Sequence, residues 1–347
     1  METQKRMTAE TSYRGPKTKE TQKRMTTETA YRGPKTLETQ KGMTAETSYR
    51  GPIKMKIQKG MTAETAYRYF MYVALITLAI SIIIPVAWVF FASVKKNSEF
   101  YGSPWAMPKS FYFQNFIDAF QKANMGTYML NTVMVTALAL LILLIVALPA
   151  AYVLARYTFR GSKLINAFFK AGLFINVNYI VVPIFLMLLD GDNFLRGQFG
   201  EGFLLDNLFI LALVYATTAL PFTVYLLSSF FQSLPSTYEE AALVDGAGYF
   251  KTMILIMIPM ARPSIIAVIL FNFLSFWNEY IIALTLLPGS NKTLPVGLMN
   301  LMAAQKSAAN YGQMYAGMVL VMLPTLILYI IVQKKLTQGM TLGGLKD

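Results

Sequence analysis

Beyond residue 68 the chain alternates long apolar runs with short polar interruptions, and this pattern predicts its elements. Six runs reach the roughly 20 residues that a helix needs to cross a bilayer. They cover residues 69–94, 128–155, 164–189, 207–231, 263–287 and 311–332. Pro85, Pro149, Pro183, Pro221 and Pro324 fall inside them. Membrane helices tolerate this where neighbouring helices or waters satisfy the freed carbonyls. The predicted fold class is all-α: a polytopic membrane protein with six transmembrane helices over residues 69–347.

Residues 1–68 read differently. Met7, Met25, Met43 and Met61 each open the phrase M-T-x-E-T-x-Y-R, eighteen residues apart, and Arg14-Gly15-Pro16, Arg32-Gly33-Pro34 and Arg50-Gly51-Pro52 close three of the copies. Units this poor in apolar side chains bury no core, so a repetitive, basic, disordered cytoplasmic tail is expected. No apolar segment follows the first charges for some sixty residues, so the first span is expected to serve as an uncleaved insertion signal.

Composition narrows the chemistry. The 347 residues are 55% hydrophobic and 14% charged, with neither cysteine nor histidine. Disulfides, thiolate metal sites and the commonest general base are therefore excluded, and neither enzymatic catalysis nor a metal is expected. The net charge of +13 fits cytoplasmic loops and anionic lipid headgroups, and nucleic acid is not an expected partner. Arg156, Arg160, Lys163, Lys251, Arg262, Lys334, Lys335 and Lys346, with the basic tail, lie on one side of the spans. Lys95, Lys96, Lys109, Lys122, Arg196, Lys292 and Lys306 lie on the other, where an acidic loop is expected around Asp190, Asp192, Glu201 and Asp206. The bias places both termini in the cytoplasm of a multi-pass cell-membrane protein. In the first outer loop, Trp105 and the stretch from Phe113 to Phe120 suggest an amphipathic helix, at the interface or over the mouth of the bundle.

The polar loop before the fifth span has the most specific pattern. Ser236 followed by Glu239 reads as a capping box opening a short helix through Leu243. Asp245-Gly246 reads as its glycine C-cap, and a second helix is expected from about Tyr249 to Pro259. Ala241 and Ala242 offer a smooth face to a partner. The result is a cytoplasmic knob over residues 236–259.

The phrase Glu240-Ala241-Ala242-Leu243-Val244-Asp245-Gly246-Ala247, closing at Ile258-Pro259, resembles the coupling loop of permease subunits in binding-protein-dependent ABC importers. Almost all of the chain after residue 68 is similar to their carbohydrate branch, as in maltose-transporter-type permeases. Residues 151–157 (A-Y-V-L-A-R-Y), Phe276-Trp277-Asn278-Glu279-Tyr280 and Leu294-Pro295-Val296-Gly297-Leu298 agree with it. The resemblance implies that Glu239, Glu240, Ala241, Ala242, Asp245, Gly246 and Ala247 form the ATPase-coupling surface. The implied partners are a cytoplasmic ABC ATPase dimer, a second permease subunit, an extracytoplasmic solute-binding protein and membrane lipid. The chain has no G-x-x-x-x-G-K-[S/T] loop, so no cofactor is expected on it and ATP would be bound by the partner subunits.

Glu279 is the best-placed ionisable group inside a span, and such a charge faces a bundle interior or a watery cavity. Asn272, Trp277, Asn278 and Glu279 are therefore candidates for the translocation path or its gate, or else for a hydrogen bond between helices. Lys170 is expected to snorkel to the cytoplasmic surface. The expected function is alternating-access import of a sugar or oligosaccharide. The alternatives are a permease of the same architecture for a peptide, polyamine or phosphonate, or an ion-coupled secondary transporter.

Overall fold

The computed structural model describes residues 63–344 apart from Lys122 and Ala309, and every regular element among them is helical. The repeats of residues 1–62 lie outside the described residues. Helix α1 (Ala63–Ser93) begins inside the segment assigned to the tail, so residues 63–68 are helical, with Arg68 paired to Glu64 at 2.7 Å. Two short helices follow, α2 (Asn97–Gly102) and α3 (Gln114–Gln121). The latter is the helix expected in the outer loop, and it packs on the bundle with Asn115 and Ala119 buried.

Helices α4 (Met125–Arg156) and α7 (Leu208–Ser233) form the most extensive helix pair. Ala139, Leu143, Ala147 and Ala151 repeat every fourth residue, which puts them on one face of α4, and all four are completely buried. Three alanines in that stripe let the backbones approach closely, the usual device of membrane helix pairs. Tyr215, Leu227 and Phe231 of α7 fill the same core.

The third expected span is not one helix. Amphipathic α5 (Ser162–Gly172) ends four residues before α6 (Val177–Phe199). The break has two causes. Gly172 meets the Pro221 ring of α7 where a Cβ would stand, and the Asn176 side chain accepts the Asn178 N–H at 3.0 Å, capping a new helix. Helix α6 then runs through Asp190 and Asp192, which the sequence had placed in a loop. Asp192 is buried there, accepting from Arg196 at 2.9 Å and from the Leu204 N–H at 2.8 Å.

After the loop come α8 (Thr237–Val244), α9 (Tyr249–Thr252), a π-helical turn (Met253–Met257) and α10 (Ile258–Met260). Helix α11 (Arg262–Trp277) leaves that segment at a bend of 73°. The fifth expected span also stops early: Asn278, Glu279 and Tyr280 separate α11 from α12 (Ile281–Leu286). The chain closes with α13 (Leu294–Ala308) and α14 (Tyr311–Gly344). Five described helices are long and apolar enough to cross a membrane, and six spans result if the bent pair around Ala261 counts as one.

Candidate coupling surface

Ser236 precedes α8 in a helical rather than extended conformation, and its hydroxyl makes no capping bond. The expected capping box therefore does not form, because the Glu239 side chain points elsewhere. Its Oε2 accepts from Arg156 Nε at 2.8 Å, with Nη2 at 2.6 Å as a charge contact rather than an aligned hydrogen bond. Its Oε1 accepts from the Tyr152 hydroxyl at 2.8 Å. Charge-assisted bonds of this kind are about twice as strong as neutral ones, so the distant guanidinium outcompetes a local N–H.

Arg156 is the last residue of α4, and its Nη1 donates to the Leu234 carbonyl at 3.0 Å beyond the end of α7. One side chain thus ties together the end of α4, the end of α7 and the first turn of α8. Tyr157 extends the joint, its hydroxyl 3.2 Å from that of Tyr152 and its ring edge-on to Tyr249.

The end of α8 follows the sequence expectation. Gly246 has φ +77°, the Gly246 N–H donates to the Leu243 carbonyl at 3.0 Å and the Ala247 N–H to the Ala242 carbonyl at 2.9 Å. These are the two bonds of a Schellman cap. No atom stands within 4 Å of a Cβ built on Gly246, so the constraint there is purely one of backbone conformation. The expected second helix is present but contains the π turn.

The alanine face is only half as expected. Ala241 is exposed, but Ala242 is buried against the chain itself. Glu240, Asp245 and Gly246 are exposed and Ala247 is half-buried. The sequence reading missed the apolar part of this surface: Leu243 is 57% exposed, Val244 88% and Phe250 77%. It also gave Tyr152, Arg156 and Tyr157 no role. The available signal was an arginine closing an apolar run in a chain whose knob carries the acidic pair Glu239-Glu240. Between α8 and Tyr249 lies a hollow of about 240 Å³ floored by Arg156 and Tyr157. An apolar hollow of about 300 Å³ adjoins it between Val153 and Phe250. No group of acidic side chains fit for a metal occurs among the described residues.

The four candidate path residues make separate contacts. Asn272 is buried, donating to Thr223 Oγ1 of α7 at 3.0 Å. Trp277 is buried, donating to the Val321 carbonyl at 3.1 Å and stacked on Phe273. Glu279 accepts from the Tyr215 hydroxyl at 2.6 Å and from the N–H groups of Ile282 and Ala283 at 2.7 and 2.9 Å. It thereby starts α12 and links the break in the span to α7. Asn278 is exposed and bonds the Leu274 carbonyl.

Residues 147–342 match the family described as "Binding-protein-dependent transport system inner membrane component". Over 270 residues the chain is 36% identical to the diacetylchitobiose uptake system permease protein NgcG of Streptomyces coelicolor, covering 78% of this chain and 86% of that protein. It is 29% identical over 257 residues to the melibiose/raffinose/stachyose import permease protein MelC of Bacillus subtilis, covering 73% and 88%. Among solved structures, a chain of a bacterial ABC transporter involved in the import of the acidic polysaccharide alginate matches with a TM-score of 0.65 and 24% identity. The match covers 79% of this chain and 97% of that one, and it is a likeness of fold.

Proposed function

The chain belongs to the family of inner membrane components of binding-protein-dependent transport systems, and on that premise we propose that it passes a sugar or oligosaccharide through the membrane, driven by a separate ATPase that grips the knob of residues 236–259. It is an ABC transporter permease, a transport component and not an enzyme. The sugar class is supported by the relatives named for diacetylchitobiose and for melibiose, raffinose and stachyose.

The observation that carries the coupling role is the division of labour on α8. One face, through Glu239, is clamped to α4 and α7. The rest of the helix presents Glu240, Val244 and Asp245 to solvent, and Leu243, one turn after Glu239, is exposed as well. A partner that moves this helix moves two spanning helices with it. ATP-dependent closure of an ATPase dimer would favour one of two permease states by its differential contact with the knob, which is what a switch requires. A second permease, a solute-binding protein outside and both termini in the cytoplasm complete the reading. Within the path, solute contact is assigned to Asn278, while Asn272, Trp277 and Glu279 serve as the scaffold that fixes the break beside it.

Co-expression with candidate ATPase and permease subunits tests this. The complex should retain its ATPase in mild detergent, and Leu243→Glu with Val244→Glu should release it while leaving the permease pair intact. An ATPase held equally well by that variant would refute the docking role. Uptake driven by an ion gradient without ATP would favour the secondary-transporter alternative.

A further inference from the structure

Helices α5 and α7 enclose a groove of about 550 Å³ that the coupling reading does not use. Lys163 and Lys170 line it from α5, with Asn166 between them, and Tyr225, Ser229 and Gln232 line it from α7. The two lysines are separated by two helical turns, about 10 Å along the axis. Helical side chains lean towards the N-terminus of their helix, so Lys170 leans back towards Lys163 and the mouth of the groove. No other described side chain or carbonyl bonds either ammonium, and no carboxylate lines the groove.

Both lysines are exposed residues, so the groove presents two ammonium groups at its surface with no counter-charge beside them. Gly172 abuts Pro221, which fixes the register of α5 on α7. Lys170 accordingly shares the groove with Val224 and Tyr225, about 13 Å along the axis from the end of α7 at Ser233. In lipid, an ammonium held against the side of a spanning helix is costly without an anion beside it. The flank of the groove is apolar: Leu164 and Phe168 of α5 are 61% and 68% exposed. A helix with lysines on one side and leucine and phenylalanine on the other is built to lie at a headgroup boundary.

We propose that the α5–α7 groove binds the phosphate of an anionic phospholipid, with Lys163 and Lys170 as its counter-charges and acyl chains along Leu164 and Phe168. Basic pockets between spanning helices hold anionic headgroups in this way. The groove opens on the same side as the knob, because α7 runs directly into that loop. Only its assignment to the cytoplasmic leaflet rests on the orientation proposed above.

The test is native mass spectrometry of the whole transporter, equilibrated with equal amounts of phosphatidylglycerol and phosphatidylcholine. The wild-type complex should retain phosphatidylglycerol preferentially. Lys163→Gln with Lys170→Gln should weaken that preference on the order of tenfold, and the double arginine variant should keep it. ATPase retained in all three complexes reports separately on the knob, so failure of the lipid site and failure of the coupling reading are distinguishable. Equal phosphatidylglycerol retention by wild type and the glutamine variant would overturn the proposal. Displacement by inorganic phosphate alone would mark a free-anion site instead. Loss of the second permease from the glutamine variant would mark a subunit interface.

Discussion

Arg156 and Glu239 stand 83 positions apart in sequence and 2.8 Å apart in space. Their side chains are 12% and 19% exposed, so the pair is neither a fully solvated ion pair nor a dry one. It joins a spanning helix to the base of the surface knob, and Tyr152 holds the second carboxylate oxygen. The joint has no slack, because every strong acceptor on Glu239 is directed at α4.

Breaking this pair should cost more than a surface ion pair does. Arg156→Met or Glu239→Gln should each destabilise the protein by about 1.5–3 kcal/mol, the range for charge-assisted hydrogen bonds. Thermal unfolding in detergent with a double-mutant cycle measures it. A coupling energy near zero would mean that the joint is incidental.

Gly246→Ala isolates the backbone requirement at the end of α8. With φ at +77° and open space around the new methyl, the cost should be about 1–2 kcal/mol. Gly246→Asn should cost less, since asparagine tolerates the left-handed region. If both variants are neutral in stability and in ATPase retention, the Schellman cap does not shape the knob.

Glu279 acts as a joint in the broken span rather than as a lone charge. Tyr215→Phe removes one of its three donors and should cost about 1–2 kcal/mol. Glu279→Ala leaves the buried Tyr215 hydroxyl and two N–H groups of α12 unpaired and should cost more. Equal, small losses on thermal unfolding would contradict this arrangement.

Lys95 was expected to be an outer-loop charge, yet it is 1% exposed. Its Nζ donates to the carbonyls of Ser103, Pro104 and Ala106 at 2.8–3.0 Å, under the rings of Trp88 and Phe100. Lys95→Met strands three acceptors and should lower stability by about 3 kcal/mol. Unchanged unfolding together with unchanged protease resistance of residues 95–113 would show that the lysine does not organise this loop.

The sequence made the helices legible because apolar runs of bilayer length have one structural solution. Gly246 was legible because few residues other than glycine end a helix in that conformation. The breaks at residues 173–176 and 278–280 were hidden, since apolar residues lie on both sides of each and a contact distant in sequence helps to make each of them. One is Gly172 against Pro221; the other is Glu279 bound by Tyr215. Glu239 misled for a related reason. The S-x-x-E pattern describes a local hydrogen bond, and only the folded chain brings Arg156 within reach. Whether Leu243 and Val244 face the core or the solvent is likewise decided by how α8 is clamped.

The most direct test of coupling uses the absence of cysteine from this chain. Val244→Cys introduces a single thiol at an 88% exposed position of the knob, and Phe174→Cys places one at an 89% exposed position outside it. A thiol-to-amine cross-linker of short reach is then applied to the assembled transporter. The account predicts that Val244→Cys captures the ATPase subunit and Phe174→Cys does not. An intact complex in which Val244→Cys and Leu243→Cys both leave the ATPase uncaptured, while Phe174→Cys captures it, would contradict the assignment of residues 236–259 as the coupling surface.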